Sequence, residues 1–251
     1  MAARMLSPQA ASDAVLRVAT PGAVRDMIKR SWVFVVMGMV TFASVAAWSQ
    51  TGKNGVVTIN GGRNVLSLQA PAQPMTPAAA PPAGLVTIYS NLSFGDHVYN
   101  ANAGSGIVGP DEGMPRPQWA ASAFTPTADH LVQAIQVGVG YVQGTDEVIV
   151  SLQEDAKGGY PGKPLVWWKF SNLPTFGSCC VLQTGKFKKG IPIKANTQYW
   201  VAVRTTAQGT DTFAVWNDNY KGLQGHWAND LGTGWINEGI QMLGAFAVYG
   251  Q

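Results

Sequence analysis

The stretches Glu147-Val-Ile-Val-Ser-Leu-Gln153 and Tyr199-Trp-Val-Ala-Val-Arg204 decide the fold. In the first, Val148, Val150 and Leu152 alternate with Ile149, Ser151 and Gln153. In the second, Tyr199, Val201 and Val203 alternate with Trp200, Ala202 and Arg204. A period of two puts each set on one face of a strand, and in both stretches one face is the more apolar, as a sheet that buries one side requires. Around them Leu85–Tyr89, Ser122–Thr125, Leu131–Val142, Leu165–Phe170, Val181–Phe187, Thr212–Trp216 and Met242–Tyr249 are apolar-rich and separated by Gly, Pro, Asn or Asp. No stretch carries a helical period with caps. Regular short strands with turn signals predict an all-β domain over 85–251, an antiparallel β-sandwich of jelly-roll-like winding. A domain of that length buries an adequate core without metal or multiple disulfides.

Upstream the character changes. Lys29 and Arg30 precede an apolar run from Trp32, which ends in small residues at Val45-Ala-Ala47 or Ala47-Trp-Ser49. Residues 27–49 therefore read as an export signal, or as an N-terminal membrane anchor helix if uncleaved. Residues 1–26 read as a non-native or cytoplasmic extension, with Met27 the expected start. Residues 50–69 hold Gly55-Val-Val-Thr-Ile-Asn60 and Asn64-Val-Leu-Ser-Leu68 around Gly61-Gly62, the pattern of a short hairpin. Residues 70–84, Ala/Pro-rich, read as an extended, semi-rigid linker.

Charge follows the same division. Of 17 Lys+Arg, five lie ahead of Gln50, and of 14 Asp+Glu, two do, which leaves 12 of each in the remainder. A neutral body gives no argument for nucleic acid as partner, and membrane contact is expected only through the N-terminal segment. Lys186-Phe-Lys-Lys189 is the one locally basic run and reads as a solvated strand end. The body is expected to be secreted, periplasmic or at the cell surface.

The order of several motifs resembles a known group. Phe124-Thr-Pro-Thr-Ala-Asp129 leads into the strand to Tyr141. Then come Val148 to Leu152, Gly158-Gly-Tyr-Pro-Gly-Lys-Pro-Leu165, Asn196-Thr-Gln-Tyr-Trp-Val201, Asp211-Thr-Phe-Ala-Val-Trp-Asn217 and Ala245-Phe-Ala-Val-Tyr249. Over roughly Leu85 to Gln251 this resembles the bacterial secreted choice-of-anchor proteins, type R. The resemblance implies an exported β-rich domain with an interchangeable surface-attachment tail and no common activity. No apolar helix, basic tail or sortase-type motif follows the last strand, so the expectation is release, or retention through the N-terminal segment.

Little of the sequence carries chemistry. Cys179 and Cys180 are adjacent, and in an oxidising compartment they are expected to form a vicinal disulfide that stiffens their loop; intermolecular pairing and a redox switch are the alternatives. His97, His130 and His226 are scattered, and no nucleophile-elbow, zinc-protease or phosphate-loop motif is present. Asp111-Glu112, Asp146-Glu147 and Glu154-Asp155 sit in turns, where neighbours point apart. A non-enzymatic module is therefore expected, with hydrolase as the least favoured class. No cofactor is expected beyond a structural Ca²⁺ on the oxygens of Asn217-Asp-Asn219 and Asn229-Asp230, which Asx-turns explain equally. Trp167 and Trp168 must leave opposite faces of their strand. Trp216, Tyr220, Trp227 and Trp235 punctuate a Gly/Asn-rich segment and are the candidate binding residues, a stacking platform for polysaccharide. The competing reading has these rings plugging the ends of the sandwich around an interaction module for an envelope protein.

Overall fold

The computed structural model describes residues 49–52, 55–62, 65–69, 80–114 and 116–251. The expected extension, the export segment as far as Trp48 and residues 70–79 of the linker lie outside the described residues. Among the described residues no helix is long and apolar enough to cross a membrane.

Three strands lead into the body: β1 (Ser49–Gly52), β2 (Gly55–Gly62) and β3 (Val65–Gln69). The body holds β4 (Val86–Ser90), β5 (Asn100–Val108), β6 (Trp119–Phe124), β7 (His130–Val137), β8 (Val139–Gln143), β9 (Glu147–Ala156) and β10 (Tyr160–Ser171). It continues through β11 (Gln183–Ile193), β12 (Tyr199–Thr205), β13 (Phe213–Asp218), β14 (Gln224–Asp230), β15 (Trp235–Met242) and β16 (Phe246–Gly250). The described part of the chain is all-β with antiparallel sheets, a β-sandwich. One six-stranded sheet runs β10-β9-β12-β6-β14-β15. A four-stranded sheet, β11-β7-β16-β4, and a second six-stranded sheet, β1-β2-β3-β5-β13-β8, face it across the core.

The alternation in β9 and β12 explains the core. Val148, Val150, Leu152, Val201 and Val203 all point inward, where they meet Ile135, Val137, Phe246 and Val248 from the opposite layer. Each fully buried side chain of this size stabilises the fold by about 1.5–3 kcal/mol relative to exposure. From β6 onward the chain passes between the layers repeatedly: β6, β9–β10, β12 and β14–β15 in one, β7–β8, β11, β13 and β16 in the other.

The predicted strand Leu131–Val142 is broken at Gly138, where the chain leaves the four-stranded sheet as β7 and enters its neighbour as β8. A Cβ there would strike the Tyr99 ring. Backbone bonds stitch the seam: Gly138 N–H donates to Ala245 O (3.1 Å), Asn217 N–H to Gly138 O (2.9 Å) and Ala245 N–H to Asn217 O (2.7 Å). Buried side chains lock it. Asn91 Nδ2 donates to Gly244 O (2.8 Å), and Asn91 Oδ1 accepts from Phe246 N–H (2.7 Å).

Within the body, β5, β14 and β15 have no counterpart in the pattern of expected strands, and ahead of it neither has β1. Strand β5 reads Asn-Ala-Asn-Ala-Gly-Ser-Gly-Ile-Val, poor in strand formers, and is held as a strand by partners on both sides, β13 and β3. Gly104 is required there, because a Cβ would strike the Trp216 carbonyl and the Val215 side chain. Lys186, Lys188 and Lys189 project from β11 at the edge of the four-stranded sheet, a charge placement that discourages edge-to-edge pairing.

Candidate binding groove

The four candidate aromatics are not brought together. Trp216 and Trp227, 0% and 2% exposed, stand in the core with ring centroids 5.7 Å apart, and Trp216 Nε1–H donates to Ala245 O (3.1 Å). Neither can meet a ligand, which corrects the platform expectation. Within the Gly/Asn-rich segment Trp227 and Trp235 lie on strands, β14 and β15, and pleat alternation sends Trp227 into the core and Trp235 to the far face. There Trp235 is half-buried against Ala121, Ala123, Trp200, Ala202 and Ala228, beside Tyr160. Tyr220 alone stays exposed, and its ring stacks on His97 at 4.4 Å. Trp167 and Trp168 do leave opposite faces: Trp168 packs on the core and donates from Nε1 to Lys186 O (3.0 Å), while Trp167 is 59% exposed.

Of the residues expected to offer oxygens to Ca²⁺, Asn219, Asn229 and Asp230 each spend one within the fold. Asn217 Nδ2 donates to Asn100 O and Ala101 O, which fixes that amide, and Asn219 closes the 219–223 turn through Leu223 N–H (2.8 Å). Asn229 Oδ1 accepts from Trp227 Nε1–H (2.9 Å), and Asp230 Oδ1 from Gly232 and Gly234 N–H. Among the described residues no group of three or more His, Cys, Asp or Glu could hold a metal ion. Of the paired carboxylates, Asp146, Glu147 and Asp155 are likewise engaged. Glu147 meets Lys169 Nζ (2.8 Å), whose hydrogen bond holds its carboxyl below the usual range; Asp146 caps Leu173 N–H (3.0 Å); Asp155 accepts from Trp200 Nε1–H (2.7 Å).

Asp218 differs, since burial pushes its carboxyl up to about 6. The folded state therefore holds this proton where the unfolded chain, at about 3.8, has lost it, so stability falls as pH rises from about 4 to 6 and is flat above. Asp218→Asn is expected to raise the unfolding free energy at pH 7 by about 1–3 kcal/mol and to leave it unchanged below pH 4, as read by urea titrations at several pH values.

What the structure does build is a groove on the outer face of the four-stranded sheet, a cavity of about 420 Å³. Its floor comes from two cross-strand rows. Register places Thr87 opposite Tyr249 and Tyr249 opposite Ala134 in one, Ser90 opposite Ala247 and Ala247 opposite Gln136 in the other. Gln136, 1% exposed, is oriented by Tyr249, whose hydroxyl donates to Oε1 (2.8 Å). Leu92, Phe94, Val98 and Leu182 form the walls, and Lys221 closes one side with Nζ 5.9 Å from the Phe94 ring. Phe94 is 85% exposed, an unusual position for a ring with no partner to cover it.

The cysteine loop supports these walls. Cys179 and Cys180 form a vicinal disulfide, as expected, but the loop they stiffen is buried: the pair is 4% and 0% exposed, beside Leu92, Val98 and Leu182. The Tyr99 hydroxyl lies 3.2 Å from Ser178 O and 3.3 Å from Val181 O, bridging the loop on either side of the disulfide. Burial pushes this phenol up to about 12.

No sequence signal marked the groove, because its floor is assembled by register from three strands and Phe94 stands in a loop. No protein-family model, curated protein or solved structure matches this chain.

Proposed function

We propose that the protein is a non-enzymatic, exported interaction module of the cell envelope or exterior, a β-sandwich of jelly-roll winding carried behind an N-terminal export or anchor segment and a linker. One observation carries the reading: an open groove with a hydrogen-bonding floor, apolar walls and the bare Phe94 ring at its lip. Ligand sites combine these ingredients, apolar contact for affinity and a few fixed polar groups for orientation. Asp146, Glu147 and Asp155 are tied into structural bonds, which supports binding over hydrolysis. The buried disulfide fits an oxidising compartment, and the choice-of-anchor resemblance points the same way.

A polysaccharide ligand is the second reading. Tyr220, stacked on His97 and next in sequence to Lys221, adds a second ring near Phe94, and sugars stack on such faces.

Hydrogen exchange of the full chain against soluble polysaccharides, peptidoglycan fragments and an Ala/Pro-rich peptide tests the groove. One class is expected to protect residues 92–98, and Phe94→Ala to remove that protection. Protection of residues 92–98 by none of the probes overturns the reading.

A further inference from the structure

Apart from the groove, we propose a second binding site: the outer face of the sheet β10-β9-β12-β6-β14-β15 holds an extended acidic polysaccharide, Trp167 stacking on one sugar ring and Arg204 pairing the carboxylate of another.

Strand alternation builds this face. Val148, Val150, Leu152, Val201 and Val203 point into the core, so Ile149, Ser151, Gln153 and Arg204 point outward. Register and the contact of Arg204 with Trp119 set Trp235, Asp230, Trp119, Arg204, Ile149 and Lys169 in one row across all six strands. Beside that row Ala121, Ala202 and Ala228 pack with the fully buried Trp200, so the exposed side chains stand on a close-packed floor.

Most charges in the row are spent. Lys169 meets Glu147 (2.8 Å), and Asp230 Oδ1 accepts from Gly232 and Gly234 N–H. Arg204 has no ion pair among the described residues. Its guanidinium lies 5.9 Å from the centroid of the Trp119 ring, and that indole is fixed in turn by donating from Nε1 to Thr205 Oγ1 (3.1 Å). A guanidinium stacked in this way keeps its planar fork of donors for a carboxylate. Two strands away Trp167, 59% exposed, stands opposite Ser151. Gln153, 3% exposed, donates from Nε2 to Ser151 Oγ (2.8 Å), while its Oε1 has no donor among the described residues. The strip from Trp167 to Arg204 therefore combines a bare ring, a buried acceptor in need of a hydroxyl, and a cation in need of an anion.

That combination selects the occupant. Sugar rings stack on indoles and bring hydroxyl donors, and a carboxylate on the sugar matches the Arg204 fork. A peptide strand is poorly served, because β9, β12 and β6 are each paired on both sides and leave no backbone edge for it to join. A nucleic acid strand needs a track of cations along its phosphates, and here the neighbouring Lys169 is already neutralised. Trp167 and Arg204 lie two strand spacings and two residues apart, roughly 12 Å, which is farther than one sugar ring extends, so the ligand is a chain.

The test is affinity electrophoresis of the full chain in gels containing polygalacturonate, alginate or hyaluronate, each beside its carboxyl-reduced form. At least one acidic polymer is expected to bind at least ~10-fold more tightly than its reduced form. Arg204→Gln is expected to abolish that difference. Trp167→Ala is expected to weaken both forms alike, by at least ~3-fold, because stacking does not depend on the carboxylate. Trp167 is too exposed to cost the fold, and circular dichroism checks both variants. Phe94→Ala is expected to change nothing, which separates this face from the groove. The assignment is overturned if none of the three polymers binds, if the reduced forms bind as tightly, or if Trp167→Ala is without effect. It also falls if polyglutamate or oligothymidylate binds as tightly, or if Phe94→Ala removes the binding; in that last case the groove reading stands.

Discussion

Trp216→Ala is expected to lower the unfolding free energy by about 3–5 kcal/mol, the largest single effect in the molecule. The ring is fully buried, and it packs on Trp227 and Phe246 with centroids 5.7 and 6.1 Å away. The backbone has been shaped around it: a Cβ on Gly244 would collide with the indole, so the cavity left by truncation is bounded by main chain that cannot easily collapse. Its Nε1–H also donates to Ala245 O at the seam between the sheets, and removal leaves that carbonyl with the Gly138 N–H as its donor. Urea unfolding followed by far-ultraviolet circular dichroism measures the loss, with Tyr220→Ala as control. Tyr220 is exposed, so its change is expected to stay within about 0.5 kcal/mol. Equal effects at the two positions would contradict the division of core from surface drawn here.

Asn91→Ala is expected to cost about 2–4 kcal/mol. Asn91 is fully buried and makes a reciprocal pair, donating to Gly244 O and accepting from Phe246 N–H, which fixes β16 beside the segment that forms the groove wall. Alanine removes both bonds and leaves the Gly244 carbonyl and the Phe246 N–H without this side chain. Asn91→Asp separates the two bonds, because a carboxylate still accepts from Phe246 but cannot donate to Gly244. It is expected to lose at least as much at pH 7, the charge being buried as well. Equilibrium unfolding at pH 7 provides both values, and a loss below about 1 kcal/mol for Asn91→Ala would show that the seam is not held by this side chain.

These two residues also show how far the sequence could be read. The alternation in Val148–Leu152 and Tyr199–Val203 is a purely local consequence of one buried face, and it locates the sandwich. Strand β5 could not be found that way, because its Asn, Ala, Gly and Ser are there to fit under β13 rather than to form a strand alone. Trp227 and Trp235 misled for the same reason: the Gly/Asn-rich segment around them forms strands through pairing with β6, a contact invisible to local pattern. The groove is less legible still. Thr87, Ser90, Gln136 and Tyr249 come from three strands, and only register brings them to one floor.

A photoreactive benzoylphenylalanine in place of Phe94, in the full chain, tests the central claim most directly. The side chain already stands in solvent at the lip of the groove, so the larger ring is accommodated without repacking. After irradiation in the presence of soluble polysaccharides, peptidoglycan fragments or an Ala/Pro-rich peptide, and protease digestion, mass spectrometry is expected to find the cross-link on one of these probes. No cross-link to any of these probes would contradict it.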